Sequence, residues 1–162
     1  MSEIFHEYGA FVWRTLRHLG VRESDLPDLC QEVFLVVHRR LSSFEGRSAL
    51  STWLYGICYR TASDHRRRAH VRREVSVPDV PGQDAEPTQH KELERKQLRQ
   101  RLLALLDELD ADKRAVVVLY EIEGLAMSEI AEIVGCPLQT AYSRLHAGRK
   151  LLAERLGRQE AP

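Results

Sequence analysis

Leu125-Ala126-Met127-Ser128-Glu129-Ile130-Ala131-Glu132-Ile133-Val134-Gly135-Cys136-Pro137-Leu138-Gln139-Thr140-Ala141-Tyr142-Ser143-Arg144-Leu145 reads as helix, tight turn, helix. Ser128 or Ala126 opens the first helix. Ala131 is small where two helices must cross closely. Gly135 stands four residues later, where the turn needs positive φ. Pro137 brings a fixed φ to the start of the second helix. Ile130, Val134, Cys136, Ala141 and Leu145 then form a shared core. This is the helix-turn-helix pattern, whose second helix enters the major groove in proteins that read DNA.

The helical period sorts the second helix into two faces. With Ala141 and Leu145 inward, Gln139, Thr140, Tyr142, Ser143 and His146 point outward near the N-terminus, where base edges are read. Arg144, Arg149 and Lys150 are placed to meet phosphates. An αα-corner without DNA contact shares the spacing; the polar and basic outer face favours the DNA reading.

Upstream, residues 91–108 form a strong helix of Leu, Arg, Glu and Lys. Asp110 or Asp112 begins another, with Ala115–Leu119 as its buried run, ending at Gly124. Before these lies Val75-Ser76-Val77-Pro78-Asp79-Val80-Pro81-Gly82-Gln83-Asp84-Ala85-Glu86-Pro87, where three prolines and a glycine prevent a helix. Residues 74–90 are therefore expected to be a flexible acidic linker. The expected architecture is all-α: an N-terminal helical bundle over 1–73 and a helix-turn-helix domain over 91–162.

In the N-terminal half, Ile4, Tyr8, Phe11, Val12, Thr15, Leu16 and Leu19 recur at helical spacing up to Gly20. A second helix starts near Asp25, with Pro27 and Asp28 in its first turn. Leu26, Leu29, Cys30, Val33, Phe34, Val36, Val37 and Leu41 give it a wide apolar stripe. Asp28, Gln31, Glu32, Leu35, Arg39 and Arg40 lie on the other side. Leu35 among polar neighbours marks either a protein-binding face or one stray leucine. After a loop from Ser42 to Ser48, which Ser48 can end as a cap, a third helix runs to about Arg72. Its end is densely basic: Arg60, Arg66, Arg67, Arg68, His70, Arg72 and Arg73. Phe44, Trp53, Tyr55 and Tyr59 precede these arginines. Arginines neutralise phosphates, and aromatic faces take unstacked bases at roughly 1–3 kcal/mol each, so the combination suits unpaired nucleic acid. Trp53 also shares the Leu50/Leu54/Ile57 stripe and is equally readable as core.

The formal charge is zero, with 24 basic and 24 acidic residues, but the layout is uneven. Residues 1–73 carry +4, residues 74–112 carry −5 and residues 113–162 carry +1, which implies parts with different partners. With 43% apolar and 30% charged residues, a packed core can form and wholesale disorder is excluded. No apolar run reaches the ~20 residues that span a bilayer. Glu3 and Glu7 stand where a signal peptide would be positive, so a cytoplasmic location is expected. Cys30, Cys58 and Cys136 are odd in number and far apart, which excludes a disulfide framework or a CxxC metal knuckle. No P-loop, paired catalytic carboxylates or nucleophile constellation is visible, and the seven histidines are scattered. Neither an enzyme activity, nor a cofactor or metal, nor a small-molecule substrate is expected.

Three of these segments together resemble the sigma-70 family of bacterial RNA polymerase sigma factors, in its extracytoplasmic-function (ECF) subgroup. Asp28–Leu35 is similar to the D-x-x-Q-E-V-F segment of region 2. Ser43–Ile57 is similar to its F-x-G-x-S-x-x-x-T-W-L-x-x-I segment. Glu123–Ala131, Gly135, Thr140 and Ser143–Leu145 are similar to region 4. The resemblance implies that Asp28, Gln31, Glu32 and Leu35 dock on the clamp helices of the polymerase beta-prime subunit, while the rear half meets the beta flap. It implies that Phe44, Ser48, Trp53 and Arg60 hold a flipped base of the −10 element and that Arg66, Arg67 and Arg68 track phosphates. It implies that Gln139, Thr140, Tyr142, Ser143, Arg144, His146 and Arg149 read the −35 element.

Some positions depart from the pattern. Asp110 replaces a common proline, Tyr120 an arginine, and Gln139, Ala141 and Tyr142 replace glycine, valine and a basic residue. Fewer positive charges imply weaker intrinsic duplex binding. The expected function is that of a sigma factor, inhibited in turn by an anti-sigma factor clamping its two domains. The rivals are a dimeric helix-turn-helix regulator, which would protect two half-sites about one helical turn apart, and a helical adaptor with no salt-dependent DNA affinity.

Overall fold

The structure, a computed structural model, describes residues 2–73 and 90–159. The expected linker lies outside the described residues, except that His90 already begins a helix. Among the described residues every regular element is helical.

Helix α1 (Ser2–His18) buries Val12, Thr15 and Leu16 and is ended by Gly20 at φ 96°. A single 3-10 turn, Glu23–Asp25, leads into α2 (Leu26–Arg40). Pro27 sits in its first turn, where the missing N–H is harmless. Leu26, Leu29, Val33, Phe34 and Val37 form its buried stripe, at helical spacing. Asp25, where the helix was expected to start, has helical backbone, and its carboxylate bonds no N-terminal amide. The carboxylate instead accepts from Arg22 Nε at 3.3 Å and meets His65 Nε2 at 3.1 Å, tying the turn to the next helix.

Helix α3 (Leu50–Arg73) begins after a loop in which Gly46 adopts φ 67°. Its first internal bond runs from Trp53 N to Ala49 O at 3.2 Å. Ala49 therefore holds the cap position expected of Ser48. Leu54, Tyr55, Ile57, Cys58, Thr61 and Ala62 are buried, and α1, α2 and α3 pack pairwise against one another. Each fully buried Leu or Val contributes about 1.5–3 kcal/mol, so this stripe-on-stripe packing is what holds the group.

Helix α4 (His90–Asp107) is mostly exposed, with Leu106 buried near its end. Asp110 caps α5 (Ala111–Val117): its carboxylate accepts from Lys113 N at 3.0 Å and also pairs with the Lys113 ammonium. Helix α5 continues as a wider π-turn to Ile122, closed by Glu123 N donating to Val118 O at 3.1 Å. Arg114 to Leu119 are all buried.

Helix α6 (Met127–Val134) and α7 (Leu138–Gln159) follow. Ala126 is the residue before α6, and Glu129 Oε2 accepts from its N–H at 3.1 Å. Gly135 ends α6 at φ 70°, as the turn pattern requires, with Gly135 N and Cys136 N both donating to Ala131 O. Ile130, Ala141 and Leu145 are buried; Val134 and Cys136 pack half-buried against them. Helix α7 also crosses α5 closely: a Cβ on Gly148 would stand 2.6 Å from Val117 Cγ2.

The buried side chains of both halves form one continuous cluster, and α3 packs on α6. The join also has a polar part at the end of α1. Arg114, only 6% exposed, donates from Nε to His18 O at 2.6 Å and from Nη2 to Arg17 O at 3.4 Å. Its Nη1 donates to Asp107 Oδ1 at 2.6 Å. Beside it, the Tyr55 hydroxyl donates to Glu123, and His18 Nδ1 stands 3.9 Å from the other carboxylate oxygen.

Candidate nucleic-acid interface

The start of α7 presents a polar face because its apolar positions are spent on the core. Gln139, Tyr142, Ser143 and His146 are exposed, and Thr140 is half-buried. Ser143 Oγ donates back to Gln139 O at 3.0 Å, a local bond its rotamer can exchange for a base edge. Two arginines of this helix are already engaged with carboxylates of the α5 region. Arg144 donates to Asp112 Oδ2 at 2.9 Å, and Arg149 pairs with Glu121. The Arg149 guanidinium also lies 5.3 Å over the Tyr120 ring. Exposed pairs of this kind are worth at most about 1 kcal/mol, so a phosphate can displace the carboxylate.

In the front half, Phe44 and Trp53 pack ring against ring at 5.2 Å with a 46° tilt, each half-buried. Trp53 packs against the core cluster while part of its surface stays exposed. Ser48 is half-buried in that loop, and Arg60 folds back, Nε donating to Gly56 O at 3.0 Å. Arg66 donates to Leu19 O at 3.4 Å and Ser63 Oγ at 3.2 Å. Arg67 pairs with Asp64 one helical turn away. Between the α1–α2 turn and the end of α3 lies a cleft of about 640 Å³, lined by Arg22, Asp25, His65, Arg66, Arg67 and His70 among others. Its basic groups outnumber its one carboxylate, which His65 and Arg22 already hold, so an anion is favoured there.

Asp28, Gln31, Glu32 and Leu35 fall on one face of α2 at helical spacing. Leu35 is 49% exposed there, which bears out an apolar spot on a polar face. Arg68 reaches across to this face, donating to both Glu32 oxygens at 3.1 and 3.2 Å. Two residues given to different partners by the sequence are thus paired with each other.

Sequence reading missed Arg114, Glu123, Tyr55 and His18 as a group, because their meeting spans 68 to 105 positions along the chain. Burial alone would raise the Glu123 carboxyl, but His18, the Tyr55 hydroxyl and the Arg14 charge outweigh it and hold it below the usual carboxylate range. Burial, then the Glu123 bond, push the Tyr55 hydroxyl up. Among the described residues no group of three metal-ligating side chains occurs, and no helix is long and apolar enough to cross a membrane.

Comparison with known proteins matches residues 4–72 to Sigma-70 region 2 and residues 99–152 to Sigma-70, region 4. An ECF RNA polymerase sigma-E factor of Haemophilus influenzae is 32% identical over 147 residues, 84% of this chain and 77% of that protein. The ECF RNA polymerase sigma-E factor of Escherichia coli K12 is 36% identical over 143 residues, 82% of this chain and 74% of that protein. In structure, the chain is similar to the sigma factor RpoE from Bartonella quintana, crystallised with the anti-sigma factor NepR. The TM-score is 0.71 at 25% identity, covering 97% of this chain and 98% of the other. CnrH, solved with the cytosolic domain of CnrY, shares the fold at TM-score 0.66 and 22% identity, covering 99% of this chain and 88% of that one. The chain belongs to the sigma-70 family, among its ECF RNA polymerase sigma factors.

Proposed function

We propose that the chain is a transcription initiation factor: it binds core RNA polymerase, directs it to promoters by reading −35 and −10 elements, and promotes strand opening. It does no covalent chemistry itself and works in the cytoplasm. Residues 1–73 act on the polymerase and the −10 element, residues 91–162 on the −35 element, and residues 74–90 tether them.

The observation that carries this reading is the pair of region matches in one chain, region 2 then region 4, spanning its two groups of helices. The face of α2 around Leu35 meets the polymerase. The Phe44/Trp53 pair and Arg60 take an unpaired base, while Arg66, Arg67 and Arg68 follow the strand's phosphates. Opening is favoured because this half binds the separated strand better than the duplex, a shift of population that requires no ATP. The polar start of α7 reads the intact duplex in the major groove. The likeness to a sigma factor solved with its anti-sigma factor supports inhibition by a protein of that kind.

In vitro transcription on host genomic DNA, with core polymerase alone and with this protein added, tests the reading. New start sites that require the protein are expected. A core polymerase that forms no complex with it and gains no start sites overturns the proposal.

A further inference from the structure

Arginines crowd the end of α1. Arg17 Nη1 donates to Val21 O at 3.3 Å, and Arg66 Nη1 reaches Leu19 O at 3.4 Å from α3. Arg114 comes to the same helix end from α5, donating to His18 O at 2.6 Å. Burial lowers the Arg114 guanidinium from its ordinary range; Asp107 opposes the shift, and the charges of Arg17 and Arg66 add to it. Like charges thus bear on one another here, a cost that an anion would relieve. Helix C-termini favour nearby cations, but only within the last turn. Arg22 stands beyond α1, and Arg66 and Arg67 lie more than one turn before α3 ends at Arg73.

The cleft of about 640 Å³ opens beside this group, within the size range of small-ligand sites. It is walled by Arg22 and Asp25 from the α1–α2 turn and by His65, Arg66, Arg67 and His70 of α3. Two of its guanidinium groups already meet a carboxylate: Arg22 meets Asp25, and Arg67 meets Asp64. The Arg66 bonds run instead to neutral oxygens, the Leu19 carbonyl and the Ser63 hydroxyl. A phosphate group can therefore take Arg66 without breaking an ion pair, and can recruit its neighbours at small cost, since exposed pairs are weak. Among the described residues no aromatic ring lines the cleft, so a base has no face to stack on. The Phe44/Trp53 pair stands at the other end of α3. Seventeen residues, or about 25 Å of helix, separate Trp53 from His70, equal to about seven nucleotides at 3.4 Å each.

We infer that this cleft is a binding site for a small oligophosphate anion, gripped by Arg22, Arg66 and Arg67, whose occupancy withholds Arg66 and Arg67 from the promoter strand. The site stands on the cleft and its charges; the competition rests on the proposed function. A chain of phosphates engages several guanidinium groups at once through charge-assisted bonds, so it should bind more tightly than a single phosphate. Arg22 gives the anion a contact that the proposed path of the strand does not use.

Isothermal titration calorimetry of the full chain with sodium tripolyphosphate, at constant ionic strength, tests the site. One anion per chain is expected, bound about tenfold more tightly than orthophosphate. Arg22→Ala and Arg66→Ala, each confirmed as helical by circular dichroism, should weaken binding about fivefold or more. Arg39→Ala, which removes the same charge from α2, should leave it unchanged. In transcription with core polymerase and constant free magnesium, tripolyphosphate should inhibit with wild type, while Arg22→Ala should transcribe normally and require about fivefold more anion for the same inhibition. No binding, affinity no greater than for orthophosphate, or an equal loss from Arg39→Ala overturns the site. An Arg22→Ala chain that loses a single-stranded oligonucleotide as much as it loses tripolyphosphate makes the cleft part of the DNA path and overturns a separate site. Equal inhibition of wild type and Arg22→Ala overturns the competition. A chain that holds the anion but that core polymerase ignores overturns the proposed function and upholds the site.

Discussion

At the scale of single residues, Gly148 is the most tightly enclosed of the described glycines. A helix interior ordinarily prefers Ala to Gly by about 1 kcal/mol, so helix propensity alone predicts that Gly148→Ala stabilises. The Val117 methyl at 2.6 Å from the missing Cβ reverses the sign. Gly148→Ala should destabilise by about 1–3 kcal/mol, read as a lower thermal midpoint, and Val117→Ala should recover part of the loss in the double variant. A higher midpoint for Gly148→Ala alone would contradict the close crossing. The cysteines give a second residue-scale test. Burial pushes the Cys30 thiol up to about 11 and the Cys58 thiol further still, Cys30 adding to the burial of Cys58. Both should react slowly with a thiol reagent at pH 8 in the folded chain and quickly in denaturant. Sequence sets all three cysteines in apolar stretches, but only Cys58 is buried, while Cys30 and Cys136 are half-buried. It gave no sign of Gly148, because one glycine in an exposed-looking stretch of α7 carries no record of what crosses it.

At the scale of elements, the local signals were the legible ones. Asp110 as a cap, Gly135 at positive φ, and Ala141 with Leu145 turned inward each follow from a few adjacent residues. Asp110→Ala should therefore remove about 1 kcal/mol, with the loss confined to the start of α5. Bonds from the Lys113 side chain and backbone hold the Asp110 carboxyl below its ordinary range. A carboxyl depressed by folding stabilises above its unfolded value, and that stabilisation fades as pH falls through the lower folded value. The Ala variant and wild type should thus converge in acid melts and differ at neutral pH; equal differences at both would refute the cap's charge. Asp25 shows the limit of such reading: it has a cap's sequence context but is drawn away by His65, forty positions later. The basic end of α3 was legible in composition as a cluster of cations, though its pairings were not. Replacing Arg66, Arg67 and Arg68 by Ala should weaken promoter-complex formation and flatten its salt slope by up to about one unit per arginine. Because Arg67 and Arg68 are paired with Asp64 and Glu32, Arg66 should account for the largest share; an unchanged slope would exclude a phosphate role.

Over the whole molecule, periodicity places seven helices but says nothing of how the front three meet the rear four. That arrangement combines the packing of α3 on α6 with the polar group of Arg114, Glu123, Tyr55 and His18, whose residue types are ordinary and whose spacing in sequence has no period. The Glu123 carboxyl supplies a whole-molecule prediction. Held below the usual range by folding, it favours the joined state at neutral pH, and that contribution is lost as pH falls through its lowered value. Scattering from neutral pH downward should show a constant radius until below the ordinary carboxylate range, then expansion that Glu123→Gln shows already at neutral pH. Arg114 has one more consequence, for anyone recombining family members. A chimaera that keeps residues 1–73 but borrows its remainder from a relative lacking equivalents of Arg114 and Glu123 leaves the His18 carbonyl to solvent and strands His18 without its acidic neighbour. Halves from different parents are therefore not interchangeable parts here: the tail must bring its own arginine and glutamate for the head it inherits.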